Sequence, residues 1–393
     1  MAAPDHLDRP AAGTDGSRSG DPAPLRCEIW RAIPAAGDER RAEWDELAAA
    51  ATNIFGTPEF AATWWDHFGR GEPRIVACRR SDDGALAALW PLYRRWAGPL
   101  RLVRAMGHGC GDELSLVCRP EDRTGAVDAL GRLIGQRRLD ADLVVLDHVG
   151  VEGEAAVDAW HHPSRRLDAT GWNGVEHRVL HAEPSPVLVA GAGGWEELLA
   201  SRSRNFRQQV RGRERRLQRQ HEVELRLTAG SDELGPDLAQ LVHLHGMRFD
   251  EAESNTFTPD RRRFHHDWAE VCRQRGWLRL WTLSADGAPV AAWYGFRFAA
   301  VESFYQSGRD PAWESASVGF VLLAATIRAA LDDGMRQYRF LRGSEGYKGR
   351  FATGADSVAT VAVPVTSRGR LAVGVGARLL DRRHPPPDAD EAA

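Results

Sequence analysis

Apolar residues recur at two spacings along the chain, and the changes between them mark its elements. Helical spacing runs through Ala42–Ala50, Phe60–Phe68, Pro236–Phe249 and Phe264–Cys272. It returns from about Ser317, where Phe320, Leu323, Ala324, Ile327 and Leu331 share one face before Gly334 ends the run. Short β-like runs lie between these helices: 74–80 with 85–93, 115–118, 143–147, 277–284 with 290–298, 303–307, 338–341 and 357–365. Alternating helices and strands predict an α/β chain with a mixed sheet.

The pattern occurs twice. Asp83-Gly84-Ala85-Leu86-Ala87-Ala88-Leu89-Trp90 matches Asp286-Gly287-Ala288-Pro289-Val290-Ala291-Ala292-Trp293 in its Ala and Trp offsets, and each Asp-Gly joins two β-like runs as a hairpin turn does. Upstream, Thr57-Pro58-Glu59 and Thr258-Pro259-Asp260 are matching helix starts, with Thr as cap, Pro at the first helical position and an acid in the first turn. Each half therefore reads helix, helix, strand, strand. The expected organisation is a tail over 1–24, an N-terminal domain over 25–195, an arginine-rich connecting helix over 196–222, a C-terminal domain over 223–370 and a second tail over 371–393.

Composition narrows the class. With 393 residues, 43% hydrophobic and 27% charged, the chain has room for two soluble domains, and a formal net charge of −4 does not mark it as a general polyanion binder. Five cysteines without a CxxC pair point to buried thiols in a reducing cytoplasm rather than to a disulfide framework or a zinc site. The adjacent pairs His161-His162 and His265-His266 point apart on a helix, so no metal is expected. No apolar run has membrane-spanning length.

Lys348 is the sole lysine among 51 basic residues. Arginine serves as well as lysine at solvated surface sites, so a lone lysine is either the chance survival of one codon or the mark of a place that takes only a compact ammonium. It lies in Phe340-Leu341-Arg342-Gly343-Ser344-Glu345-Gly346-Tyr347-Lys348-Gly349-Arg350-Phe351, where a strand opens into a glycine-bracketed loop. A second basic feature is Ser201–Gln220, with arginines at 202, 204, 207, 211, 213, 215, 216 and 219 and an apolar stripe of Phe206, Val210 and Leu217. That stripe suits docking on a domain, with Arg204 and Arg207 toward a cleft.

The order of Arg204–Leu217, the Asp286-Gly287 hairpin, Tyr305-Gln306-Ser307-Gly308, Ser317-Val318-Gly319 and Phe340–Lys348 resembles the CelD/BioF-like acetyltransferase family of the GNAT superfamily, which is related to the Fem-type transferases. Trp90-Pro91-Leu92-Tyr93 and Gly111-Asp112-Glu113 fit it in the first half, so the likeness spans roughly 30–365. One departure is Arg339, where the family often has an aspartate before the phenylalanine.

The resemblance implies two tandem GNAT-like domains and transfer of an acyl group, most simply acetyl, from acyl-CoA to an amine of a small molecule, sugar or cell-envelope precursor. It implies donor contacts at Ser315, Ser317, Val318 and Gly319, where a helix start offers free N–H groups to phosphate. Lys348, Tyr347, Glu345 and Tyr305 are the catalytic candidates, as sources of positive charge, hydroxyl and base. Substrate contacts are expected from Arg204, Arg207, Arg248, Asp250, Glu251 and Asp112. The alternatives are a Fem-like transferase that uses aminoacyl-tRNA, with the arginine helix on RNA, and a non-catalytic accessory protein of polysaccharide biosynthesis.

Overall fold

The computed structural model describes residues 25–151, 176–248, 256–343 and 345–383. The first half contains β1 (Leu25–Trp30), α1 (Glu39–Ala50), α2 (Pro58–Phe68), β2 (Glu72–Pro73), β3 (Ile75–Arg80), β4 (Leu86–Trp90), β5 (Leu92–Ala97), β6 (Leu100–Ala105), β7 (Val117–Cys118), α3 (Arg123–Gly135), β8 (Leu143–Val151) and β9 (Arg178–Val189). Helices α4 (Gly194–Ser201) and α5 (Arg204–Gln220) lead to the second half: β10 (Val223–Leu227), α6 (Ser231–Arg248), α7 (Pro259–Gln274), β11 (Leu278–Ala285), β12 (Ala288–Phe298), β13 (Val301–Arg309), α8 (Val318–Asp332), β14 (Gln337–Arg339), α9 (Gly346–Phe351), β15 (Gly354–Pro364) and α10 (Ser367–Arg383). The mixed α/β architecture and the repeated helix, helix, strand, strand order agree with the sequence pattern.

Local chemistry accounts for most boundaries. The Thr57 hydroxyl accepts from the Phe60 N–H, with Pro58 at the first turn of α2. Asp286 and Gly287 both have positive φ, so they form the two-residue turn whose twist matches the strands it joins. Pro91 divides the expected 85–93 strand into β4 and β5, which pair in different sheets. The arginine run is two helices rather than one, because Arg202 is extended and Ser203 caps α5. Residues 367–383 form a helix where a tail was expected. Among the described residues no helix is long and apolar enough to cross a membrane.

A four-stranded sheet (β1-β3-β4-β7) accompanies an eleven-stranded one in the order β10-β11-β12-β13-β14-β9-β15-β8-β6-β5-β2. The large sheet runs through both halves, because β9 lies between β14 and β15, and β15 pairs in turn with β8. One core joins α1, α2, α6 and α7 through Trp44, Phe60, Leu241, Phe264 and Trp268; a second packs α4, α5 and α8 against the other face of β12 through Trp195, Phe206, Trp293 and Ile327.

The cysteine expectation is corrected. Cys27 and Cys78 stand opposite each other on β1 and β3 and are joined as a disulfide, while Cys110, Cys118 and Cys272 are free and buried. The partners are 51 positions apart, and strand register alone brings them together.

Candidate functional site

β13 and β14 run parallel and pair only at Val301–Ser303 with Gln337–Arg339. β14 then ends, since Leu341 takes a left-handed conformation that no strand continues. β13 goes on to Arg309 without it. Against β12, β13 and α8 lies a cavity of about 260 Å³ whose walls include Trp293, Phe304, Gly308, Ser317, Gly319 and Tyr347. The first turn of α8 faces this space, and its cap Ser317, held at φ 57°, makes no side-chain capping bond. Orphan N–H groups and the positive end of the helix dipole favour an anion there.

Arginines complete the rim. Arg213 and Arg350 line the cavity with their guanidinium carbons 4.7 and 5.5 Å from the Phe320 ring centre, and Arg350 also lies 4.9 Å from Phe206. Arg350 donates to the neutral Gln209 Oε1 at 2.5 Å. Among the described residues neither guanidinium has a carboxylate in ion-pair reach, and burial followed by the Arg350 charge pulls the Arg213 pKa below its usual value. Two uncompensated cations around one apolar cavity invite a ligand that is anionic at one end. Arg309, also on the rim, is paired with the exposed Glu314 at 3.2 Å.

Behind Phe304 lies a charged network that joins the halves. The Lys348 side chain is 5% exposed; its ammonium donates to the Arg342 carbonyl at 2.6 Å, pairs with Glu345 at 2.8 Å and sits 5.9 Å from the Phe304 ring centre. A Cβ on Gly343, where φ is +120°, would come within 2.2 Å of Glu345 Oε2 and 2.8 Å of Lys348 Nζ. The ammonium thus lies in a tight, buried space beside Gly343 and Glu345.

Arg342 turns to the first half. It pairs with Asp112 at 2.8 Å and Glu183 at 3.1 Å and lies 2.7 Å from His148 Nε2. His148 Nδ1 is 2.9 Å from the Gly111 carbonyl, so Nδ1 donates there and Nε2 accepts from Arg342. Burial, then the neighbouring Arg342, holds the His148 pKa below its ordinary value and keeps the ring neutral. Burial raises the Asp112 carboxyl, against the pull of Arg342. Arg339 adds bonds to the Thr52 carbonyl and hydroxyl at 3.0 and 2.7 Å and to Glu113 at 3.3 Å. It thereby stitches β14 to the first half.

The sequence candidates divide accordingly. Tyr347, Ser317 and Gly319 line the cavity, and Lys348 and Glu345 lie just behind it. Val318 is a buried core residue and Ser315 is exposed away from the lining. Tyr305 is buried, with its hydroxyl donated to the Cys110 carbonyl at 2.7 Å, so it is a packing residue in the seam between halves. Arg207 donates to the Ala200 and Arg202 carbonyls, and Arg204 is exposed; neither reaches the cavity lining. Asp112 does reach the network. Arg248 ends α6, while Asp250 and Glu251, like His161 and His162, lie outside the described residues. Sequence reasoning passed over Arg342, His148, Glu183, Arg213 and Arg350. Arg342 and Arg350 flank Lys348 in the stretch already singled out, and their position there was the available signal.

Residues 204–349 match the sequence profile of the Acetyltransferase (GNAT) domain, a range that takes in Lys348 and the cavity lining apart from Arg350. No curated protein matches the chain. Among solved structures, FemX superposes with a TM-score of 0.56 at 10% identity, over 85% of this chain and 98% of that one. A conserved protein of unknown function from Bacteroides thetaiotaomicron VPI-5482 does so with a TM-score of 0.53 at 14% identity, over 86% and 100%. At such identities the likeness is one of fold. The chain is a mixed α/β protein that shares its fold with FemX, and its residues 204–349 match the Acetyltransferase (GNAT) domain.

Proposed function

We propose that the protein is an acyltransferase of the CelD/BioF-like kind, taking acetyl or another acyl group from acyl-CoA to an amine of a small-molecule, sugar or cell-envelope precursor. The observation that carries this reading is the cavity between β12, β13 and the first turn of α8, with a helix start and two uncompensated guanidiniums at its rim and apolar walls within. Phosphates fit the first turn of α8 and the Arg213 and Arg350 guanidiniums, and a thioester arm fits the walls of Phe304 and Trp293.

Transfer forms a C–N bond between the amine and the acyl carbon and breaks the C–S bond. The amine gives up one proton and the departing thiolate takes one. Tyr347, on the cavity wall, supplies the hydroxyl donor to the thiolate, and Glu345, 42% exposed and held by Lys348, takes the amine proton. Lys348 fixes that carboxylate and adds positive charge behind the reacting carbonyl.

Calorimetric titration with acetyl-CoA tests the donor assignment. Binding in the micromolar range, about −8 kcal/mol, is expected, with Arg213→Glu and Arg350→Glu each weakening it at least about tenfold by reversing a charge beside phosphate. Absence of binding to acetyl-CoA and longer acyl-CoAs, or affinity untouched by both reversals, rejects it.

One observation favours a second donor. The outward face of α5 carries Arg204, Arg215 and Arg219, all exposed and without ion-pair partners among the described residues, as a polyanion such as charged tRNA requires. In that reading a salt-dependent affinity for aminoacyl-tRNA replaces the one for acetyl-CoA.

A further inference from the structure

Away from the cavity, α6 and α7 diverge to leave a groove of about 650 Å³. Its walls are Leu238, Ala239, Val242, Met247 and Phe257, and His265 forms part of its lining from α7. Apolar grooves between helices are common and signify little alone. The histidine changes the argument.

His265 is only 2% exposed, and neither Nδ1 nor Nε2 has a hydrogen-bond partner. The Thr256 main chain approaches the ring without reaching hydrogen-bond geometry. Aromatic rings pack around it, with the ring centres of Phe257, Phe264, Tyr305 and Tyr294 at 5.1, 5.2, 5.6 and 6.2 Å, the Tyr305 hydroxyl committed to Cys110 and the Tyr294 hydroxyl unpartnered, while Arg261 and His245 are its charged and titratable neighbours. A buried polar group normally finds a partner, because removal from water is otherwise uncompensated. The same ring forms part of the groove's lining.

We propose that the groove between α6 and α7 binds a compact apolar molecule carrying a hydroxyl or another neutral hydrogen-bonding group, which sits against the His265 ring. The described walls are apolar: among the described residues no carboxylate lines the groove, and Arg262 at its edge already donates to the Phe257 carbonyl at 2.8 Å. Burial holds the His265 pKa down to about 3, so at neutral pH the ring offers one donor and one acceptor and no charge. A hydroxyl meets either nitrogen, while the rest of the molecule covers Leu238, Val242 and Phe257. The assignment stands on the groove and its histidine and is independent of the donor chemistry.

The test uses the full chain with 15N-labelled histidine and a matched pair of probes, 4-methylphenol and toluene, which differ by one hydroxyl. 4-Methylphenol is expected to shift the His265 ring nitrogens saturably, with toluene binding about tenfold more weakly. His265→Phe, which also identifies the signal, removes the preference between the probes. Ala239→Trp fills the groove from α6 and abolishes binding of both, while acetyl-CoA affinity and thermal unfolding, measured on the same samples, stay those of the parent. His265 signals that do not respond to millimolar 4-methylphenol in the folded protein, or that respond equally in Ala239→Trp, overturn the proposal and leave an ordered water as the partner of the ring.

Discussion

Replacing Arg342 with methionine keeps much of the apolar stem and removes the charge shared by Asp112, Glu183 and His148. Removing one partner of a buried ion pair costs about 3–5 kcal/mol, because the other charge is left without compensation. Asp112 is buried but Arg342 keeps 35% of its side chain exposed, so solvent screening reduces the expectation to about 2–4 kcal/mol at pH 8. The sign with pH follows from Asp112. Burial already raises its folded-state pKa, so its contribution to stability is fully present below the ordinary carboxylate range and is lost as pH rises through the folded value. Without Arg342 the folded value rises further, so the same loss grows larger at high pH. Parent and variant therefore differ least near pH 4 and most at pH 8. Urea unfolding followed by tryptophan fluorescence at both pH values, with Asp112→Asn alone and combined, measures this directly. In the Asp112→Asn background the Arg342 substitution should cost at least about 1 kcal/mol less. An equal cost at both pH values, or an equal cost in both backgrounds, would refute the claim that Arg342 acts by neutralising Asp112.

Two further outcomes follow from geometry. A Cβ on Gly308 would lie 2.3 Å from the His245 main-chain nitrogen, which cannot yield, so Gly308→Ala should cost about 3 kcal/mol in urea unfolding; at Gly319 the nearest atom is the flexible Arg309 Cδ at 3.2 Å, so Gly319→Ala should leave unfolding nearly unchanged while weakening acetyl-CoA in calorimetry. Thiol titration of the denatured, unreduced protein should find three reactive groups, Cys110, Cys118 and Cys272, and five after reduction.

What was legible in the sequence was local. Thr57 and Pro58 start a helix by chemistry contained within four residues, and Asp286-Gly287 makes a turn that depends on nothing distant. Lys348 stood out because composition isolates it. What escaped depends on register. β9 was not expected because Pro184 and Pro186 interrupt its alternation, yet their carbonyls accept from Gly343 and Phe340 on one side of the strand, where no proline N–H is needed. The Cys27–Cys78 bond and the Arg342–Asp112 pair are likewise products of strand order, which no local window contains. Arg213 and Arg350 looked like any other arginines until α5 and α9 set them around one phenylalanine.

The duplication poses a question that the sheet answers. If each half repeats the same elements, a site might be expected in each; the cavity beside Lys348 belongs to the second half, and the first half holds its loop. After Leu341 the chain leaves β13 and follows β9, with Phe340 and Gly343 bonded to the Pro186 and Pro184 carbonyls. That path delivers Arg342 to Asp112 and His148 and brings its own carbonyl to Lys348. The position of the lysine thus depends on residues more than 150 positions away, through a strand that belongs to the sheet of both halves. Sliding β9 by one residue would turn Glu183 to the opposite face and remove a carboxylate from Arg342. The halves differ because the shared sheet makes the first half hold the charged loop and leaves the cavity to the second half.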